Sequence, residues 1–189
     1  MFAMYKPEGY TVRVFGGYNS VKMSGHPSSK VKISNGEILG GAIGYRFSPT
    51  VRIEGEIAYR QNEVHSMRLH GKTKNLIVPL KGDIISVSYI GHMMFEPNLF
   101  WLFRPYFGAG LGAVCENGDW QVVVIEDSLW IDIVPYERTA FAYQLTGGLR
   151  LPVGQWNTYC GIEVKLLDAL LDHMCHCNKS VAFSWHKVF

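Results

Sequence analysis

The sequence predicts an all-β protein, an eight-stranded antiparallel up-and-down transmembrane β-barrel, and three observations lead there. Eight segments alternate apolar and polar residues with period two. The connections between them alternate short and long. The ionisable residues of the segments fall almost entirely on one face.

The strands are expected near 11–19, 39–48, 51–60, 84–96, 103–114, 140–151, 158–167 and 180–189, within a single domain spanning 1–189. The first sets Val12, Val14 and Tyr18 against Arg13 and Asn19, with Phe15 interrupting the polar side. The second sets Leu39, Gly41, Ile43, Tyr45 and Phe47 against Gly40, Ala42, Gly44, Arg46 and Ser48. After a break at Pro49, Val51, Ile53, Gly55, Ile57 and Tyr59 alternate with Arg52, Glu54, Glu56, Ala58 and Arg60. Val87, Tyr89, Met93 and Phe95 oppose Ser86, Ser88, His92 and Glu96 in the fourth. In the fifth, Phe107, Ala109, Leu111 and Ala113 oppose Arg104, Tyr106, Gly108, Gly110 and Gly112. The sixth sets Phe141, Tyr143, Leu145, Leu149 and Leu151 against Gln144, Thr146, Gly148 and Arg150. Ile162, Val164 and Leu166 face away from Glu163 and Lys165 in the seventh, and the eighth closes the chain.

Long polar connections are expected at 20–37, 61–83, 115–139 and 168–179, and short turns around Pro49, Pro97-Asn98 and Pro152 to Asn157. Segregation of turns to one end and loops to the other is the habit of outer-membrane barrels, with both termini on the turn side.

Composition agrees. Hydrophobic residues make up 48% and charged residues 18%, against about a quarter charged in an average soluble domain. No run reaches the roughly 18 apolar residues of a spanning helix, which excludes a helical membrane protein. A net charge of +2 with no basic cluster leaves no electrostatic footprint for nucleic acid. Twenty glycines, ten tyrosines, ten phenylalanines and five tryptophans suit curved strands and aromatic interfaces.

Alternation alone does not say which face is inward, and three features decide it. Many residues opposite the apolar face are Gly, Ala or Ser, which fit a narrow interior. Apolar-face aromatics gather at strand ends: Tyr18, Tyr59, Phe141 and Tyr143 at the loop end, Tyr45, Phe47, Phe95, Phe107, Trp185 and Phe189 at the turn end. Two such rings match membrane interfaces. Phe183, Trp185 and Phe189 also share one register of the last strand. The apolar face then meets lipid, and Arg46, Arg52, Glu54, Glu56, Arg60, Arg104, Arg150, Glu163 and Lys165 form a polar network in the lumen. Unpaired buried charge is costly, so mutual pairing favours a plug over an ion path.

The segments FRPYFGAGLGA (103–113), AFAYQLTGGLRLPV (140–153), GIEVKLLD (161–168) and SVAFSWHKVF (180–189) resemble the OmpA-like and opacity-protein-like eight-stranded outer-membrane barrels, a group that includes bacterial surface antigens. The resemblance covers nearly the whole chain through loose motifs. It implies an outer-membrane protein with an adhesion, host-contact or envelope role, no catalytic residues, no cofactor, and membrane lipid and the barrel-assembly machinery as partners. It also implies that Phe189, in register with Phe183 and Trp185, is part of the assembly signal. Lys187 departs from the pattern, a position where a lysine can snorkel to headgroups. The first twenty residues lack a secretory signal, and a signal is expected upstream of a start carrying an added Met.

Other chemistry is weaker. Asp172-His173-Met174-Cys175-His176-Cys177 lacks the ligand spacing of a zinc knuckle, so no metal site is expected. Cys115 with Cys175 or Cys177 at the loop end suggests a disulfide, which Cys160 near the turn end could not join. Glu63, His65 and Ser66 offer enzyme chemistry, but neighbouring strand residues point to opposite faces. Trp120, Trp130 and Ile131 in the third long connection are candidates for contact with a host-surface or extracellular partner, or for a hairpin extending the wall. A narrow channel for small solutes and, behind it, a lipid-modifying enzyme are the alternative functions.

Overall fold

The described residues form ten strands: β1 (Gly9–Ser24), β2 (Ser29–Ile33), β3 (Gly36–Arg46), β4 (Val51–His70), β5 (Asn75–Phe95), β6 (Arg104–Val122), β7 (Ile131–Asp132), β8 (Tyr136–Pro152), β9 (Thr158–Leu171) and β10 (Met174–Val188). The computed structural model describes residues 8–24, 29–70, 75–97, 103–122, 131–132, 136–153, 157–171 and 174–189. Eight of the strands form a closed wall in the order β3, β1, β10, β9, β8, β6, β5, β4 and back to β3, all pairs antiparallel. The other two are accessory: β2 pairs with the upper part of β4, and β7 adds two rungs to β6.

The register fixes the barrel's shape. A path of directly opposed residues starting at Thr11 passes Gly44, Glu54, His92, Gly110, Gln144, Leu167 and Asn178, and returns to β1 at Val21. Closure therefore carries a stagger of ten residues, which at eight strands tilts the wall by about 40° and leaves an interior that side chains can fill.

Alternation sorts the two faces as the sequence predicts. On β4, residues 52, 54, 56, 58, 60, 62 and 64 are buried while 51–65 in odd positions are not. Outward residues such as Ile43 (71% exposed), Leu111 (61%) and Phe183 (69%) form an apolar belt. Along β4 the belt covers nine residues, Val51 to Tyr59, the length that spans a bilayer on a tilted strand. Phe15, the apparent interruption of the polar face, is buried. Gly40 makes room for it, since a Cβ there would fall 2.4 Å from the ring.

Of the three short joins only the first lies wholly within the described residues; 98–102 of the second and 154–156 of the third lie outside them. At the first, Ser48 Oγ accepts from the Val51 N–H at 3.1 Å and Phe47 N–H donates to the Val51 carbonyl. At the third, Asn157 takes φ of 50°, a left-handed conformation that asparagine tolerates.

The loop end differs from expectation. Segments 20–37, 61–83, 115–139 and 168–179 are not irregular loops for most of their length. β1 continues to Ser24, β4 to His70 and β6 to Val122, while β5 starts at Asn75, β8 at Tyr136 and β10 at Met174. Beyond the belt the outward residues become polar as well, Gln61, Glu63 and His65 on β4 beside the buried Asn62 and Val64, so the apolar–polar alternation fades while the hydrogen-bonded ladder continues. A bulge interrupts the β4–β5 ladder: Val64 pairs with Gly82 and Ser66 with Pro79, so the single residue His65 on β4 faces two on β5, Leu80 and Lys81. Proline, lacking an N–H, is suited to such a break.

Candidate functional site

Among the described residues, polar and charged side chains gather in the lumen, in layers along the barrel axis. In the middle layer Arg13 is the hub. Its guanidinium donates to Glu54 at 2.9 Å, Glu56 at 2.7 Å and Glu163 at 2.8 Å. Lys165 Nζ lies 2.5 Å from Glu56 and 3.4 Å from Glu163. The Tyr106 hydroxyl donates to Glu163 at 2.8 Å. Phe15 lies against both cations, 5.0 Å from the Arg13 guanidinium and 3.8 Å from Lys165 Nζ. All of these residues are buried.

Toward the turn end, Glu96 receives three arginines. Arg46 contacts it at 2.8 Å, and Arg52 and Arg150 touch it as well. Arg52 is shared with the middle layer through Glu54 at 2.6 Å. Arg104 is half-buried, with its guanidinium over the Tyr159 ring at 5.6 Å, beside that of Arg150 at 4.6 Å.

Toward the loop end direct ion pairs give way to hydrogen bonds with neutral side chains around Arg60. Gln144 donates to Glu56 at 3.0 Å and Thr146 at 3.2 Å, and stands 3.1 Å from His92 Nε2. Arg60 donates to Ser88 at 2.7 Å and to Gln144 at 3.2 Å. Asn19 then links Asn62, Asn178 and Ser180 within 3.1 Å. Small apolar groups fill the gaps: Ile90, Val114, Ala140, Ala142, Leu167 and Ala169 on one side, Ile38, Ala58 and Ala182 with Phe15 on the other. Among the described residues, every layer of the interior is occupied by buried side chains.

All nine residues expected in the lumen network point inward, and eight of them are buried; Arg104 is the half-buried one. The hubs Arg13 and Glu96 are the additions. Both lie on the inward face by alternation, but period-two patterning carries no information about which inward residues meet across the barrel.

The remaining expectations fall out differently. Cys115 and Cys177 are free thiols. They sit on β6 and β10, with β8 and β9 between them, a separation of three interstrand spacings, about 14 Å. A disulfide needs Cα atoms within about 7 Å, so the Cys115 pairing is excluded. Cys160 is exposed on the outer wall near the turn end. Residues 174–177 belong to β10 instead of a loop, with 172–173 outside the described residues, and no metal-binding group is found among the described residues. Glu63 and His65 lie 4.0 Å apart on the exposed wall. Trp120 lies on β6, and Ile131 pairs with Val122 in the short β7 ladder; Trp130 is outside the described residues. Trp185 and Phe189 face outward with Phe183. Lys187 lies 4.8 Å from the Phe189 ring.

A closed eight-stranded antiparallel wall, apolar outside and ionic within, defines a transmembrane β-barrel of the outer-membrane type. Solved structures share this fold. The outer membrane protein OprG of Pseudomonas aeruginosa matches with a TM-score of 0.60 at 12% identity, covering 100% of both chains. Ail, the attachment invasion locus protein of Yersinia pestis, in complex with the heparin analogue sucrose octasulfate, matches at 0.56 and 13% identity, covering 94% of this chain and 99% of that chain. Neisserial surface protein A matches at 0.54 and 12% identity, covering 97% and 100%. No family model matches the chain, and no curated protein matches it in sequence. At these identities the likeness is one of fold.

Proposed function

We propose that this chain is a bacterial outer-membrane surface protein that stands as a plugged barrel and presents its loop-end wall to partners outside the cell. The observation that carries the reading is the division of labour along β4. Nine residues cross the apolar belt, and eleven more, Arg60 to His70, rise past it in the same strand. A strand that long serves display better than passage, because the lumen below it is filled. The attachment protein and the surface protein among the structural neighbours support a role in adhesion or host contact for the same architecture. Catalysis is not part of the reading: Glu63 and His65 are both exposed, without the enclosed, oriented geometry that a hydrolytic base needs.

Two measurements test it. Whole cells displaying the chain should bind host cells or extracellular matrix, and deletion of residues 118–135 should abolish that binding while the barrel still migrates as a compact, heat-modifiable species. Undiminished binding by the deleted, folded barrel rejects that segment as the contact surface. Planar-bilayer recordings should show no steady unitary steps; reproducible steps would favour the small-solute channel instead.

A further inference from the structure

The outer wall sinks inward where β8 and β9 cross the turn half of the belt. Gly147 faces outward between Leu145 and Leu149 and presents no side chain there, so the surface drops to the backbone. The result is a groove of about 640 Å³ with Gly147, Gly148 and Gly161 along its floor. Leu149, Ile162 and Phe183 stand along it, and Cys160 lies toward its turn end. Its volume falls within the ~300–1,000 Å³ of sites that hold small organic ligands. The lining side chains are aliphatic, aromatic or thiol, so the groove offers an occupant apolar contact and no charge.

Charge lies beside it. Lys187 alternates with the buried His186 and Val188 and therefore faces outward, at a position where a lipid-facing strand calls for an apolar residue. Its opposite residue on β9 is Thr158, two residues from Cys160, which places the lysine one strand over from the turn end of the groove. Among the described residues, the other outward side chains of the belt are uncharged. Lys187 Nζ lies over the Phe189 ring at 4.8 Å, and none of the carboxylates of the described residues is ion-paired with it. Trp185, opposite Cys160, and Phe189 mark this level as that of the headgroups.

Groove and lysine match the two ends of one molecule. A groove within the belt is filled by hydrocarbon, because acyl chains are the solvent there. A lysine at the membrane edge lays its stem along apolar surface and holds its ammonium among the headgroups, where basic residues favour anionic lipid. A zwitterionic headgroup also carries a phosphate, but its own ammonium competes with the lysine for that phosphate.

We propose that the groove over Gly147 and Gly161 binds one acyl chain of an anionic phospholipid from the turn-side leaflet, with the lipid's phosphate on Lys187. The lysine that breaks the apolar pattern of the last strand is then the headgroup ligand of this lipid.

The test is native mass spectrometry of the barrel folded in maltoside micelles, with folding checked by heat-modifiable migration. Phosphatidylglycerol or phosphatidylcholine with the same chains is added. The native chain is expected to retain one phosphatidylglycerol in preference to phosphatidylcholine. Lys187→Gln should lower that preference about fivefold, the effect of one basic residue at an anionic surface, while both lipids still bind. Gly147→Leu should weaken both lipids several-fold by filling the groove, since a Cβ at Gly147 meets nothing nearer than 3.9 Å and the added side chain has room. Gly55→Leu, on the β4 wall away from Lys187, should change neither. If Gly147→Leu fails to fold, Ile162→Ala removes one side of the groove and should still weaken both lipids. Equal retention of the two lipids by the native chain overturns the site. So does a preference untouched by Lys187→Gln, or retention indifferent to Gly147→Leu and Ile162→Ala.

Discussion

Lys165 Nζ lies 2.5 Å from Glu56 Oε2 across 109 residues of sequence. In the closed wall β9 and β4 are four strands apart by either route, so this ion pair spans the diameter of the barrel. Arg13, on β1 between them, donates to Glu56 and to Glu163. The lumen is therefore braced from wall to wall by charge, where a soluble domain of this size would rely on an aliphatic core.

That bracing gives the first prediction. Removing one partner of a buried, hydrogen-bonded ion pair strands the other, at a cost of about 3–5 kcal/mol. Glu56→Ala and Lys165→Ala are each expected to destabilise the barrel by that order in urea unfolding from lipid vesicles. The double variant should cost clearly less than the two added together, because neither charge is then stranded. Strict additivity would show that the two groups do not act as a pair.

The glycines give a second prediction, through the difference between the two faces. A Cβ on Gly112, which faces inward, would fall 1.9 Å from the Tyr89 carbonyl oxygen. One on Gly55, which faces outward, would meet nothing nearer than 4.0 Å. Gly112→Ala is expected to cost at least about 1–3 kcal/mol, the usual order for overpacking, and to reduce the yield of compact barrel. Gly55→Ala should fold as the native chain does. Equal yields would contradict the assignment of faces.

Thiol chemistry supplies the third. Cys115, Cys160 and Cys177 are free, and Cys160 lies within the apolar belt. A water-soluble maleimide applied to the barrel in lipid vesicles should leave Cys160 unmodified until the protein is unfolded. Mass mapping that found Cys160 modified in the folded barrel would place that wall in water.

The degree to which all this was legible in the sequence follows from what period-two patterning encodes. It records where two different solvents meet a strand. Residues 51–60, with five outward and five inward positions in strict alternation, could be assigned to both strand and face. The same logic placed every residue of the lumen network on the inner face. It failed where the outer face turns polar too: above the belt Gln61, Glu63 and His65 point outward beside the buried Asn62 and Val64, so β4 from Gln61 to His70 reads as polar connection although its ladder with β5 continues. Partner choice within the lumen was illegible for another reason. The contact of Arg46, Arg52 and Arg150 with Glu96 depends on a ten-residue stagger set by closure of the whole sheet, which no local segment carries. The Cys115 disulfide was misjudged in the same way, since chain position gave both cysteines a common end of the barrel but not the two strands between them.

The account rests on which face meets the acyl chains. Nitroxide labels placed singly at residues 51 to 60 in vesicle-embedded barrel would report this by their collision rates with oxygen and with a water-soluble nickel complex. Oxygen accessibility is expected to peak at the odd positions 53, 55 and 57 and collapse at 54, 56 and 58, with nickel accessibility low throughout. Peaks at the even positions, or nickel reaching Ile53 and Ile57 freely, would contradict it.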